Sequence, residues 1–123
     1  MNLTSTKIRA FVPGGRDYAR SKAFYEALGF TLTFDAGEVA GFSHGGNEFL
    51  LHNFHNEDWA GNFMMQLEVE DLDAWWAHID SLDLAGRFGV PPPRAPAMMP
   101  WGLREVHVIG PSGELWHIVQ GPA

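Results

Sequence analysis

Apolar and polar positions alternate in short runs along most of this chain, and twice the spacing switches to three and four. Residues 7–12 are largely apolar and stop at Pro13-Gly14-Gly15, which predicts a strand closed by a turn. Asp17 then stands where a helix cap is wanted. Ala23, Phe24, Ala27 and Leu28 recur at helical spacing, and Gly29 follows as a stop. Residues 31–34 predict a strand. Residues 39–43 and 48–54 predict a hairpin around His44-Gly45-Gly46-Asn47.

After a polar stretch at 56–62 the same order begins again. Residues 63–69 predict a strand, and Asp71 caps a helix through Trp75, Trp76, Ile79 and Leu82. A short strand including Phe88 and Val90 is expected to end at Pro91-Pro92-Pro93, because proline cannot donate to a ladder. Residues 103–109 and 114–120 predict the last two strands, joined by a turn at Gly110-Pro111-Ser112-Gly113. The pattern is therefore strand–helix–strand–strand–strand, twice. It predicts an α+β fold of two βαβββ modules, at 7–58 and 63–121, within a single domain over 1–123. Each module is too small to cover both faces of its own sheet, so the two should pack together, and with a second chain as a dimer.

Composition narrows the chemistry. With 46% hydrophobic and 19% charged residues the chain has ordinary globular usage. The absence of cysteine excludes disulfides, a thiol nucleophile and zinc–thiolate sites. No stretch free of Asp, Glu, Lys and Arg exceeds nine residues, against roughly 20 apolar residues for a membrane-spanning helix. The first residues lack the basic and apolar blocks of a secretory leader, so a cytoplasmic protein is expected, with no membrane partner. A net charge of −7 repels nucleic-acid phosphates and favours a cationic ligand.

Gly41-Phe42-Ser43-His44-Gly45 matches the G-x-S-x-G form of a nucleophile elbow. The segment after it reads as a strand where that motif requires a helix, so the match carries no chemistry. Gly14-Gly15 and Gly45-Gly46 lack the context of a phosphate loop. His52 and His117 carry more weight, since each falls in the closing strand of its module among apolar neighbours. Five Trp and nine Phe are many for one small core. Trp101, after Met98-Met99-Pro100, is placed either to anchor its loop or to line a ligand slot.

Two segments bear a family resemblance. Ser21-Lys22-Ala23-Phe24-Tyr25-Glu26-Ala27-Leu28-Gly29-Phe30 resembles the S-x-x-F-Y-x-x-L-G-F helix of the vicinal oxygen chelate superfamily. This superfamily includes glyoxalase I, extradiol dioxygenases, and fosfomycin- and bleomycin-resistance proteins. Pro100-Trp101-Gly102-Leu103-Arg104-Glu105, followed by Gly110-Pro111-Ser112-Gly113-Glu114-Leu115-Trp116-His117, is most similar to the bleomycin-resistance branch, with Gly110 where the family usually has Asp.

The resemblance implies paired βαβββ modules in a homodimer with clefts shared between subunits. It also implies four metal-ligand places in metal-dependent members, one on the first and one on the last strand of each module. Here these fall on Ala10, Met64, His117 and, within two residues, His52. Ala10 and Met64 cannot ligate a hard cation, so no cofactor is expected; if a metal binds, His52 and His117 are its ligands. The function so implied is sequestration of a bulky, aromatic, cationic small molecule in a cleft between the modules, as in antibiotic resistance. Phe34 and Trp101 are the expected stacking walls, with His52, His117 and Met64 in the cleft, and no catalytic residue is assigned. The alternative is a divalent-metal lyase or dioxygenase that uses His52 and His117 with Glu48, Gln66 or Glu68.

Overall fold

The computed structural model describes residues 1–121. The first half runs β1 (Phe11–Pro13), α1 (Tyr18–Leu28), β2 (Thr31–Asp35), β3 (Val39–His44) and β4 (Asn47–His52). The second runs α2 (Glu57–Gly61), β5 (Met64–Val69), α3 (Leu72–Ser81), α4 (Leu84–Phe88), β6 (Arg94–Met98), β7 (Arg104–Ile109) and β8 (Leu115–Gln120). Two four-stranded sheets result, ordered β1-β4-β3-β2 and β5-β8-β7-β6. In each, the first strand pairs parallel to the last and the other pairings are antiparallel. This is the expected α+β arrangement of two βαβββ modules.

Local chemistry accounts for these elements. The Asp17 carboxylate accepts the Arg20 backbone N–H and starts α1, and Asp71 does the same for Ala74 in α3. The β3–β4 hairpin turns through Gly45 and Gly46, at φ of 54° and 83°, the left-handed pair that a two-residue turn requires.

Alternation along the strands sends Phe42, Phe49 and Leu51 of the first sheet, and Val106, Trp116 and Ile118 of the second, into one continuous core with Phe24, Tyr25 and Leu28 of α1. Each such fully buried large side chain contributes about 1.5–3 kcal/mol relative to exposure. Polar bonds also cross between the halves. Tyr25 donates its hydroxyl to Glu114 Oε2 at 2.7 Å and accepts the Trp116 indole N–H at 2.8 Å. His78 Nε2 lies 3.0 Å from the Leu28 carbonyl, and Arg20 donates to the Phe88 carbonyl at 3.2 Å. Burial pushes the Glu114 carboxyl above its ordinary range, against the opposing donors from Tyr25 and the Ser112 amide. Tyr25 is pushed well up by its own burial and by the neighbouring carboxylate.

Two expectations need correction, and one unassigned stretch gains an element. The first strand is only Phe11–Pro13, because pairing with β4 begins where the Leu50 N–H bonds the Ala10 carbonyl. Residues 7–9 are instead tied by Lys7 and Arg9 to Glu48 at 2.6 and 3.6 Å. The strand expected through Phe88 and Val90 is helix α4, in which Leu84 and Phe88 are buried one turn apart, and the strand comes after the prolines. The polar stretch at 56–62 holds α2, capped by Asn56. Among the described residues, no helix is long and apolar enough to cross a membrane.

Candidate functional site: two clefts on the outer sheet faces

Because the inner face of each sheet is spent on the core, the opposite faces point outward and carry the site chemistry. On the first sheet, paired positions Phe34–Gly41, Gly41–Leu50, Phe11–Leu50 and Pro13–His52 share the outer face. At Gly41 an added Cβ would displace the Phe34 ring and the Thr33 hydroxyl, which lie against the bare backbone. Beside them Phe11, Pro13, His52, Phe54, Asn56, Trp59 and Phe63 enclose a cavity of about 350 Å³. The His52 ring stacks on Phe54 (5.7 Å, 21°) and meets the edge of Phe11 at 5.6 Å, and Phe54 in turn meets Trp59 at 5.7 Å. This first cleft is an aromatic box without a formal charge in its lining.

The second sheet has a different surface. His107 and His117 are direct partners across β7 and β8, and Glu105 lies on the same face one pair along. Glu105 is buried at 2% exposure, yet its Oε1 meets His107 Nε2 at 3.0 Å and His117 Nδ1 at 2.8 Å, while its Oε2 accepts the Trp101 indole N–H at 2.5 Å. Burial raises the Glu105 carboxyl, but the bonds from His107, His117 and Trp101 together outweigh it and hold it below the usual carboxylate range. His117 Nε2 faces the Met64 sulfur at 3.4 Å. Met64, Met65, Gln66, Trp101, Glu105 and His117 line an open cavity of about 320 Å³. This second cleft is a thioether and indole surface over a carboxylate floor.

The sequence-predicted residues therefore divide. Met64, Trp101 and His117 come together in the second cleft, whereas His52 belongs to the first. Phe34 shares the first cleft's sheet face but lies outside its cavity lining. None of the five lines the groove of about 650 Å³ between the two modules, whose walls include Phe30, Phe49, Met65, Leu67 and Trp116. Sequence reasoning missed Glu105 and His107, which the alternation Glu105-x-His107 opposite His117 signals once the last two strands are paired. It also missed the box of Phe11, Phe54 and Phe63. His44 lies half-buried between Phe30 and Trp75 at ring separations of 5.8 and 5.2 Å.

Strand register relates the two clefts. His52 pairs with Pro13 and His117 with Gln66, so Phe11, two residues before Pro13, occupies the place of Met64. The first-strand place assigned from sequence to Ala10 belongs to Phe11. The Phe11–His52 pair of one cleft corresponds to the Met64–His117 pair of the other. The superfamily's four ligand places thus hold a phenyl ring, a thioether and two imidazoles. Phenyl offers no donor and thioether only a soft one, so this set does not fit a hard divalent ion.

Two βαβββ modules sharing a core, each with an outward cleft on its sheet, define the class of fold. The family model for the glyoxalase/bleomycin resistance protein/dioxygenase superfamily matches residues 9–118, and the chain belongs to that superfamily. It is similar to a bleomycin-binding protein solved in complex with bleomycin, at 26% identity and a TM-score of 0.78, over 96% of this chain and 100% of the other. A bleomycin resistance determinant encoded on the transposon Tn5 is 25% identical, with a TM-score of 0.74 over 98% and 100% of the two chains. A glyoxalase/bleomycin resistance protein from Catenulispora acidiphila is 26% identical, with a TM-score of 0.72 over 96% and 100%. These likenesses agree with the sequence resemblance to the bleomycin-resistance branch. The chain matches no curated protein sequence.

Proposed function

We propose that this protein is a cytoplasmic homodimer that sequesters a flat aromatic, cationic small molecule of the bleomycin type, without reacting with it. The observation that carries this is the pair of unlike clefts: an uncharged aromatic box, and a surface of Met64 and Trp101 over the ionised Glu105. Rings buried among Phe11, Phe54 and Trp59 gain apolar burial and stacking, and a cation gains a carboxylate partner. The net charge of −7 raises the encounter rate with such a ligand.

Each cleft is one wall. Phe11, Trp59, Met64 and Trp101 are 54%, 68%, 62% and 61% exposed, which is unusual for side chains of this size unless a partner covers them. A two-fold axis that lays the first sheet of one copy over the second sheet of the other closes two equal composite clefts. Sequestration requires no resident metal.

The test is a calorimetric titration with bleomycin beside mass measurement by light scattering. A dimer binding two bleomycin molecules is expected, with affinity falling as salt rises. A monomer, or a dimer with no heat of binding, overturns the proposal.

A further inference from the structure

We infer that Glu105, His107 and His117 form a binding site for one divalent transition-metal ion on the floor of the second cleft. One donor atom from each of the three lies within 4.8 Å of the other two. Both histidines approach the same carboxylate oxygen, at 3.0 and 2.8 Å. Donors held about 2.0–2.1 Å from a shared ion sit roughly 2.9–3.4 Å apart, so these separations need little adjustment.

The supporting contacts point the same way. Met64 Sδ stands 3.4 Å from His117 Nε2 on one edge of the ring, and Nδ1 on the other edge faces Glu105 Oε1 at 2.8 Å. Trp101 holds the other carboxylate oxygen and leaves Oε1 to the histidines, an orienting bond of the kind that tunes metal ligands. The backbone is fixed because His107 and His117 are paired on adjacent central strands.

Two imidazoles and one carboxylate select zinc, cobalt, nickel or copper over magnesium or calcium. The cavity above leaves positions open for water or a donor atom of a ligand. Only His117 belongs to the superfamily's four ligand places, so this set is a different one. It does not rest on the sequestration reading, because it is measured with no organic ligand present.

The experiment is calorimetric titration of chelator-treated protein with Zn²⁺, and with Co²⁺ followed by visible absorption. One ion per chain is expected, with binding weakened by about a hundredfold or more in His107→Gln and Glu105→Gln and unchanged in His55→Gln. Melting curves confirm folding of the variants. Should Glu105→Gln fail to fold, the Co²⁺ spectra of the wild type and His107→Gln decide. No binding of either ion, or equal binding by His107→Gln, overturns the site and leaves Glu105 as the hydrogen-bond partner of the two histidines alone. Such a failure leaves the bleomycin titration untouched, and the reverse holds.

Discussion

Trp101 shows how one side chain serves two purposes. Its indole N–H is spent on Glu105 while its ring remains 61% exposed over the second cleft. Loss of the ring should therefore affect a ligand more than the fold: Trp101→Ala is expected to weaken bleomycin binding by about 1–3 kcal/mol with little change in melting temperature. Calorimetry and thermal melting together check this, and a large melting shift at unchanged affinity would make Trp101 a loop anchor.

Glu114 is the opposite case, fully buried and bonded to Tyr25 and the Ser112 amide. Its carboxyl is raised in the folded state, so its stabilising contribution is complete below the unfolded value and declines as pH rises through the folded one. The wild type should thus lose stability relative to Glu114→Gln as pH increases from 4 to 8. Melting curves across that range test it, and a constant difference refutes the assignment.

At the scale of elements, legibility followed local chemistry. Both capped helices and the glycine hairpin were readable because their signals lie within a few residues of the structure they make. The segment after α3 was not. Pro91-Pro92-Pro93 masks where the strand begins, and the helical spacing of Leu84 and Phe88 is too short a run to stand out. The clefts were only partly legible. His52, Met64, Trp101 and His117 could be found one by one, but Glu105 acquires meaning only when β7 lies beside β8.

An element-level consequence concerns Gly41, where Phe34 lies against the strand because no Cβ intervenes. In Gly41→Val the Phe34 ring is expected to be displaced, altering the outer face while Ala40 and Phe42 remain in the core. Two-dimensional NMR of the aromatic protons should show the shift confined to the first sheet.

For the molecule as a whole, matching register with unlike side chains is the main organising fact. The backbone places an equivalent pair at the base of each cleft, Phe11 with His52 and Met64 with His117. Substitution at those positions is expected to change what the clefts bind while the ladders that hold them remain.

The core crosses from one half to the other without a seam, with Tyr25 of α1 bonded to Glu114 and Trp116 near the end of the chain. Neither half then possesses a complete interior of its own, and cutting the connection between them should leave two pieces that rescue one another. Fragments 1–56 and 57–123, produced separately, are expected to give the circular dichroism of largely unstructured peptides. On mixing they should recover the spectrum of the intact protein, with a midpoint of association that depends on concentration.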